Sequence, residues 1–179
     1  GGTGPYWAPL IRELPDFRCL LLDRPGWGLS SAIDYSKYEY RAIVADLLRA
    51  TFDALGIERA HVVGASIGGT WVFGLALRQP ARVGRIVQLG GGPIPAESQP
   101  PTFVKLLASP VGALIVRMPQ KPQQMRKMLR GLGHGPSVDK GRMDAFITWR
   151  VALMRDTDSL SSERDLIRVF VRGKDFRPG

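Results

Sequence analysis

Gly64-Ala65-Ser66-Ile67-Gly68, with Gly69 directly behind it, is the stretch of this chain whose residue types and spacing could do chemistry. A serine with glycine two places before and two places after it is the pattern of a nucleophile carried on a sharp strand-to-helix turn. Such a turn holds the serine in a strained backbone conformation, and side chains at positions 64 and 68 are expected to collide with the neighbouring strand and helix. The setting agrees, because His61-Val62-Val63 leads in as a strand and an apolar segment leads out as a helix. Ser66 would then lie near a helix N-terminus, where backbone N–H groups and the helix dipole favour a developing oxyanion. The N–H of Ile67 is the expected first donor to it. Rival readings fail on residue type. A dinucleotide-binding loop needs glycine where Ser66 stands, and a phosphate-binding P-loop needs a lysine that is absent.

A serine nucleophile needs a base, and the base is usually oriented by a carboxylate. The chain has two histidines. His61 lies five residues before Ser66 on the same strand, roughly 16 Å away along an extended chain, so a structural role at the strand start is expected. His134 sits in Gly131-Leu132-Gly133-His134-Gly135-Pro136, a glycine-rich loop poorly suited to holding a proton acceptor within hydrogen-bond reach. Cys19, His61 and His134 have no metal-ligand spacing, and neither a metal nor an organic cofactor is expected.

The elements that would position Ser66 can be read from periodicity. Residues 7–14 are predicted helical, stopped by Pro15-Asp16. Residues 17–22 form a continuous apolar run that predicts a strand buried on both faces of a parallel sheet, with Cys19 as a buried, inert thiol. Asp23-Arg24-Pro25-Gly26-Trp27-Gly28 must be a loop. Residues 40–55 carry a one-sided apolar stripe ended by Gly56, the signature of an amphipathic helix. Strands are predicted at 60–63 and 85–89, with a helix at 68–79 that is apolar all round and therefore buried. This alternation of helix and strand predicts a parallel sheet with helices on both faces. After Pro93, Pro95, Pro100 and Pro101 form a linker. Residues 102–118, 123–132, 141–154 and 162–171 then read as helices, an all-helical insertion.

Composition bounds the classes. Hydrophobic residues make up 44% and charged residues 23% of the 179, ordinary for a folded domain and too apolar for a disordered chain. The net charge of +9 raises the question of nucleic acid. The basic residues are scattered arginines without a like-charge run or an aromatic ladder, so a solvated basic face is expected and nucleic-acid binding is not. No apolar stretch approaches the ~20 residues of a membrane span. A cytoplasmic location is the expectation, and because the chain does not begin with Met secretion is left open. Oligomeric state is not legible.

Three ordered motifs carry a resemblance: Gly1-Gly2-Thr3-Gly4, Asp23-Arg24-Pro25-Gly26-Trp27-Gly28-Leu29-Ser30, and Val63-Gly64-Ala65-Ser66-Ile67-Gly68-Gly69. Together they resemble the α/β-hydrolase superfamily in its capped, esterase- and epoxide-hydrolase-like branch. The resemblance covers residues 1–92; beyond them only the placement of a helical segment is similar. It implies an α/β fold, a doubly wound, mostly parallel sheet forming a partial α/β-hydrolase core over residues 1–92, with a helical cap over 93–179. It implies a second oxyanion donor from the first loop, the N–H of Gly2, with Thr3 next in line. Asp23 and its turn would shape the pocket entrance and not supply the catalytic acid. Serine at 66 argues against the dehalogenases and epoxide hydrolases of this fold, which use aspartate.

In this fold the acid and the histidine follow the serine along the chain, after two further core strands. The expectation is therefore a piece cut at both ends, marginally stable and inactive alone. The implied reaction is hydrolysis of an ester, amide or related acyl or carbon–carbon bond in a small, apolar acyl substrate. The cap residues Phe103, Leu106, Leu107, Met118, Met125, Met128, Phe146 and Trp149 would supply an apolar lid. Two alternatives stay open: a non-catalytic ligand-binding protein of the same fold, and a cofactor-free haloperoxidase-like enzyme that uses the same serine.

Overall fold

The computed structural model describes residues 3–90, 102–131 and 139–172. A 3-10 turn at Gly4–Trp7 runs into α1, Ala8–Ile11, each with proline in its first turn, where a missing N–H costs nothing. Then follow α2 (Tyr40–Ala54), β1 (Ala60–Ala65), α3 (Gly68–Arg78), β2 (Val83–Leu89), α4 (Thr102–Ala108), α5 (Pro110–Ile115), α6 (Pro122–Gly131), α7 (Lys140–Asp156) and α8 (Ser159–Arg172). The helix predicted over 102–118 is divided at Ser109-Pro110, because proline removes the donor and crowds the preceding turn. The described residues group into two compact units, one drawn from 34–90, 102–109 and 165–172, the other from 3–33, 110–131 and 139–164.

In the first unit β1 and β2 pair in parallel, Val62 against Ile86 and Ala65 against Leu89, with an irregularity between Ala60 and Val62. The connection through α3 is the helical crossover that parallel pairing requires. Phe52, Val62, Val72, Leu75 and Val83 form the core, with Leu48, Ile57, Phe73 and Ile86 packed around it. On β1 the odd residues His61 and Val63 are exposed while Val62 and Gly64 are buried. One face of the sheet therefore packs on α3. The all-round burial expected of α3 is not found: Trp71, Val72 and Leu75 are buried, but Leu77 is 84% exposed. Among the described residues, nothing covers Leu77 on the far side of α3.

α2 ends as its sequence predicts. Gly56 adopts φ +63, the Ile57 N–H bonds to the Phe52 carbonyl at 2.8 Å and the Gly56 N–H to that of Asp53 at 3.2 Å, a Schellman ending. Arg82 clamps this terminus. Its Nη2 donates to the Ile57 carbonyl at 2.6 Å, its Nη1 pairs with Asp53, and its guanidinium lies 5.5 Å from the Phe52 ring. The hydrogen bond from Arg82, aided by its charge and that of Arg49, holds the Asp53 carboxyl below the ordinary carboxylate range. A lowered folded pKa contributes stability above the unfolded value and loses it as pH falls through the folded one. Asp53→Asn is thus expected to lower the denaturation midpoint slightly at pH 7 and to flatten its decline below about pH 4. Equal midpoint shifts at pH 7 and pH 3 would count against the clamp.

In the second unit, Met125 and Leu129 of α6 meet Met143 and Ile147 of α7, with Phe146, Val151 and Met154 around them. Asp139 caps α7 by accepting from the Arg142 N–H at 3.0 Å. Of the residues expected to form a lid, Met125 is core, whereas Phe103, Leu106, Met118 and Met128 are exposed. Residues 17–22 do not form the predicted strand. Among the described residues the sheet contains only β1 and β2, so this run has no ladder partner. Phe17, Leu20, Leu21 and Leu22 are exposed, and so is Cys19, which corrects its expected burial.

Candidate active site

β1 delivers the chain to Ser66, which has φ +52 and is the only non-glycine residue at positive φ among the described residues. A conformation of this kind costs of order 1–3 kcal/mol and persists only where the surroundings impose it. Here the Ser66 N–H is shared between the carbonyls of Leu89 and Gly90, both at 3.0 Å, at the end of β2. Its carbonyl accepts from the Gly69 N–H at 2.9 Å in the first turn of α3. The neighbours on both sides thus fix the backbone, while the Ser66 side chain remains exposed.

Gly64 is sterically required. A Cβ there would lie 2.7 Å from the Gly68 carbonyl oxygen and 2.9 Å from the Gly69 nitrogen. The same requirement was expected of Gly68 and is not found, since nothing lies within 4 Å of a Cβ placed on it. At Gly69 a Cβ would come within 2.7 Å of Cδ of Gln88 and would displace that side-chain end, with no backbone atom in the way. Ile67 stands at the N-terminus of α3 with helical φ and ψ, and its N–H has no acceptor among the described residues. Its carbonyl is anchored: it accepts from the Thr70 N–H at 3.1 Å and from the Thr70 hydroxyl at 2.7 Å. That hydroxyl also meets the hydroxyl of buried Tyr40 at 2.7 Å. Sequence reading missed Tyr40, Thr70 and Gln88 as supports of the turn. The available signal was a glutamine near the end of a strand, following Ile86-Val87.

The other sequence-predicted residues divide. Gly2 and His134 lie outside the described residues. His61 Nδ1 accepts from the Arg85 N–H at 2.9 Å, a strand-to-strand bond that fits the structural role expected of it. Asp23, in the second unit, shapes a loop: its Oδ1 accepts from the Gly4 N–H at 2.8 Å and its carbonyl from the Ser30 hydroxyl at 2.7 Å. Gly26 and Gly28 take φ +74 and +65, and a Cβ on Gly28 would overlap the Asp23 carboxylate. Trp27 is buried beneath the guanidinium of Arg24, 4.9 Å from the ring centre, and near that of Arg150 at 5.8 Å. Arg24 pairs with Glu163. Burial, together with the charge of Arg24, pulls the Arg150 pKa below the usual arginine range, while Tyr6 opposes the shift. Among the described residues no three His, Cys, Asp or Glu side chains cluster as metal ligands, and no helix is long and apolar enough to cross a membrane.

Residues 1–131 match the alpha/beta hydrolase fold family, and this chain belongs to it. Among curated proteins it is similar to a 2-hydroxy-6-oxononadienedioate/2-hydroxy-6-oxononatrienedioate hydrolase of Paraburkholderia phymatum, 32% identical over 194 residues, covering 99% of this chain and 60% of the relative. A protein of the same name from Burkholderia vietnamiensis is 40% identical over 192 residues, covering 99% and 58%. A provisionally named carbamate hydrolase, RutD, of Caulobacter sp. is 39% identical over 92 residues, covering 51% of this chain and 34% of the relative. The chain spans about 60% of the length of the first two relatives.

Proposed function

We propose that the protein carrying this chain is a serine hydrolase in which Ser66 attacks a carbonyl carbon. The observation that carries this reading is the backbone of Ser66, held at φ +52 between β1 and α3 with an exposed side chain. The unbonded N–H of Ile67 stands beside it and would receive the oxyanion, joined by the N–H of Gly2. A base takes the Ser66 proton as the Oγ–C bond forms and returns it to the leaving group. Water then hydrolyses the acyl-enzyme. Base and acid are assigned to the part of the relatives' length that this chain does not span. Residues 93–179 are assigned to a cap over the site.

The relatives' names favour one bond type among the ester, amide and carbon–carbon alternatives. A 2-hydroxy-6-oxo-dienedioate contains no ester or amide, so its hydrolysis breaks the carbon–carbon bond beside the 6-keto carbonyl. On this reading Ser66 would attack a ketone carbon, with a stabilised carbanion as the leaving group. Such a substrate is a dicarboxylate, a departure from the apolar acyl substrate expected from the lid residues. The net charge of +9 on these 179 residues is of the sign that attracts a dianion.

A fluorophosphonate probe applied to the whole protein tests the reading, because only a serine with a working base reacts rapidly. Labelling confined to the peptide containing Ser66 is expected. A folded protein that stays unlabelled would point to the non-catalytic binding protein instead.

A further inference from the structure

We infer that Gln88 is a positioning residue for the oxyanion donor, its carboxamide fixing the peptide plane between Ser66 and Ile67 so that the Ile67 N–H points at the developing charge. This rests on the hydrolase reading above. The carbonyl of Ser66 and the N–H of Ile67 belong to one planar peptide unit, and no cis peptide occurs among the described residues. Whatever fixes the oxygen therefore fixes the direction of the N–H. Two donors reach that oxygen: the Gly69 N–H at 2.9 Å and Gln88 Nε2 at 3.2 Å. The first comes with any helix that starts here. The second comes from the end of β2 and is peculiar to this side chain.

The same Nε2 donates to the Gly90 carbonyl at 3.2 Å, and that carbonyl also accepts from the Ser66 N–H at 3.0 Å. The peptide units on both sides of Ser66 are thereby tied to one point of β2. The orientation of the carboxamide is set by chemistry, since a flipped Gln88 would turn its oxygen toward two carbonyl oxygens. Its Oε1 is buried with no donor among the described residues, an unfavourable arrangement that the two bonds from Nε2 offset. Gly69 keeps the space: a Cβ there would approach Gln88 Nε2 to 2.8 Å. A donor on the Ser66 carbonyl also polarises its peptide and strengthens the N–H at the other end. Gln88 acts through that peptide and needs no contact with substrate.

The test uses Gln88→Met in the whole protein, a side chain of similar length without donors. Two quantities are read: the single-turnover acylation rate with a p-nitrophenyl ester, and the affinity for a trifluoromethyl ketone that forms a tetrahedral adduct on the serine. Acylation and ketone affinity are each expected to fall about tenfold, with KM for the ester within about twofold of wild type. Gln88→Glu is expected to fall further at neutral pH, where a carboxylate faces two carbonyl oxygens. It should recover part of the ketone affinity, relative to wild type at the same pH, as the carboxyl protonates and donates again. Unchanged acylation and ketone affinity in Gln88→Met would overturn the inference, and so would a loss shared equally by KM. Should Gln88→Met not fold, the acid recovery of Gln88→Glu decides, and its absence overturns the inference. Full turnover in Ser66→Ala would instead sink the hydrolase reading, which distinguishes the two failures.

Discussion

Ser66→Ala in the whole protein is expected to lower kcat by at least about a thousandfold while leaving KM nearly unchanged. The backbone of the turn does not depend on the serine side chain. Its N–H is held by Leu89 and Gly90 and its carbonyl by Gly69 and Gln88, and no hydrogen bond of the hydroxyl is found among the described residues. Alanine therefore inherits the same φ with the same neighbours, and the thermal midpoint should match that of wild type. The entire loss then falls on the bond-forming step. Steady-state kinetics with a chromogenic ester and a melting curve suffice as measurements. Retention of more than a tenth of the activity would show that Ser66 is not the nucleophile.

The second large effect is structural and should separate two glycines that the motif treats alike. Gly64→Ala is expected to cost about 2–3 kcal/mol and to remove most activity. The new methyl would meet the Gly68 carbonyl carbon at 2.8 Å and the Gly69 nitrogen at 2.9 Å, backbone atoms that no rotamer change can move. Relief requires α3 to shift away from β1, which carries Ser66 and the Ile67 N–H with it. Gly68→Ala meets nothing within 4 Å and begins α3, so it should be neutral or stabilising by up to about 1 kcal/mol. Urea denaturation of the two variants measures the contrast. If both are equally destabilised, the packing of α3 against β1 differs from that described.

What could be read in the sequence was local. The turn at Ser66 was legible because its strand, glycines and helix are consecutive, so residue type and spacing alone specify it. α2 was legible from Tyr40 to Gly56 because a one-sided stripe and a left-handed glycine are both local signals. Residues 17–22 were not, because an apolar run states that burial is favourable and not which strand will lie beside it. The exposed Cys19 goes with the same lack of a ladder partner among the described residues. The supports of the turn escaped for a related reason: Gln88 and Tyr40 reach it from 22 and 26 residues away. No short motif records such a distance. The division of 102–118 at Pro110 was available from residue type and was outweighed by its apolar periodicity.

The left-handed mount of Ser66 bears on how this chemistry can change over evolutionary time. Its geometry is imposed by β2 and α3, so the reactive head is exchangeable without rebuilding the frame that presents it. The same φ sorts the candidates. Aspartate and asparagine visit this region more readily than most residues, whereas β-branched side chains are true outliers there. A carboxylate head is therefore within reach of a few base changes, and threonine, the other simple alcohol, is excluded by its extra methyl group. The backbone settles which nucleophiles can be tried here before any substrate selects among them.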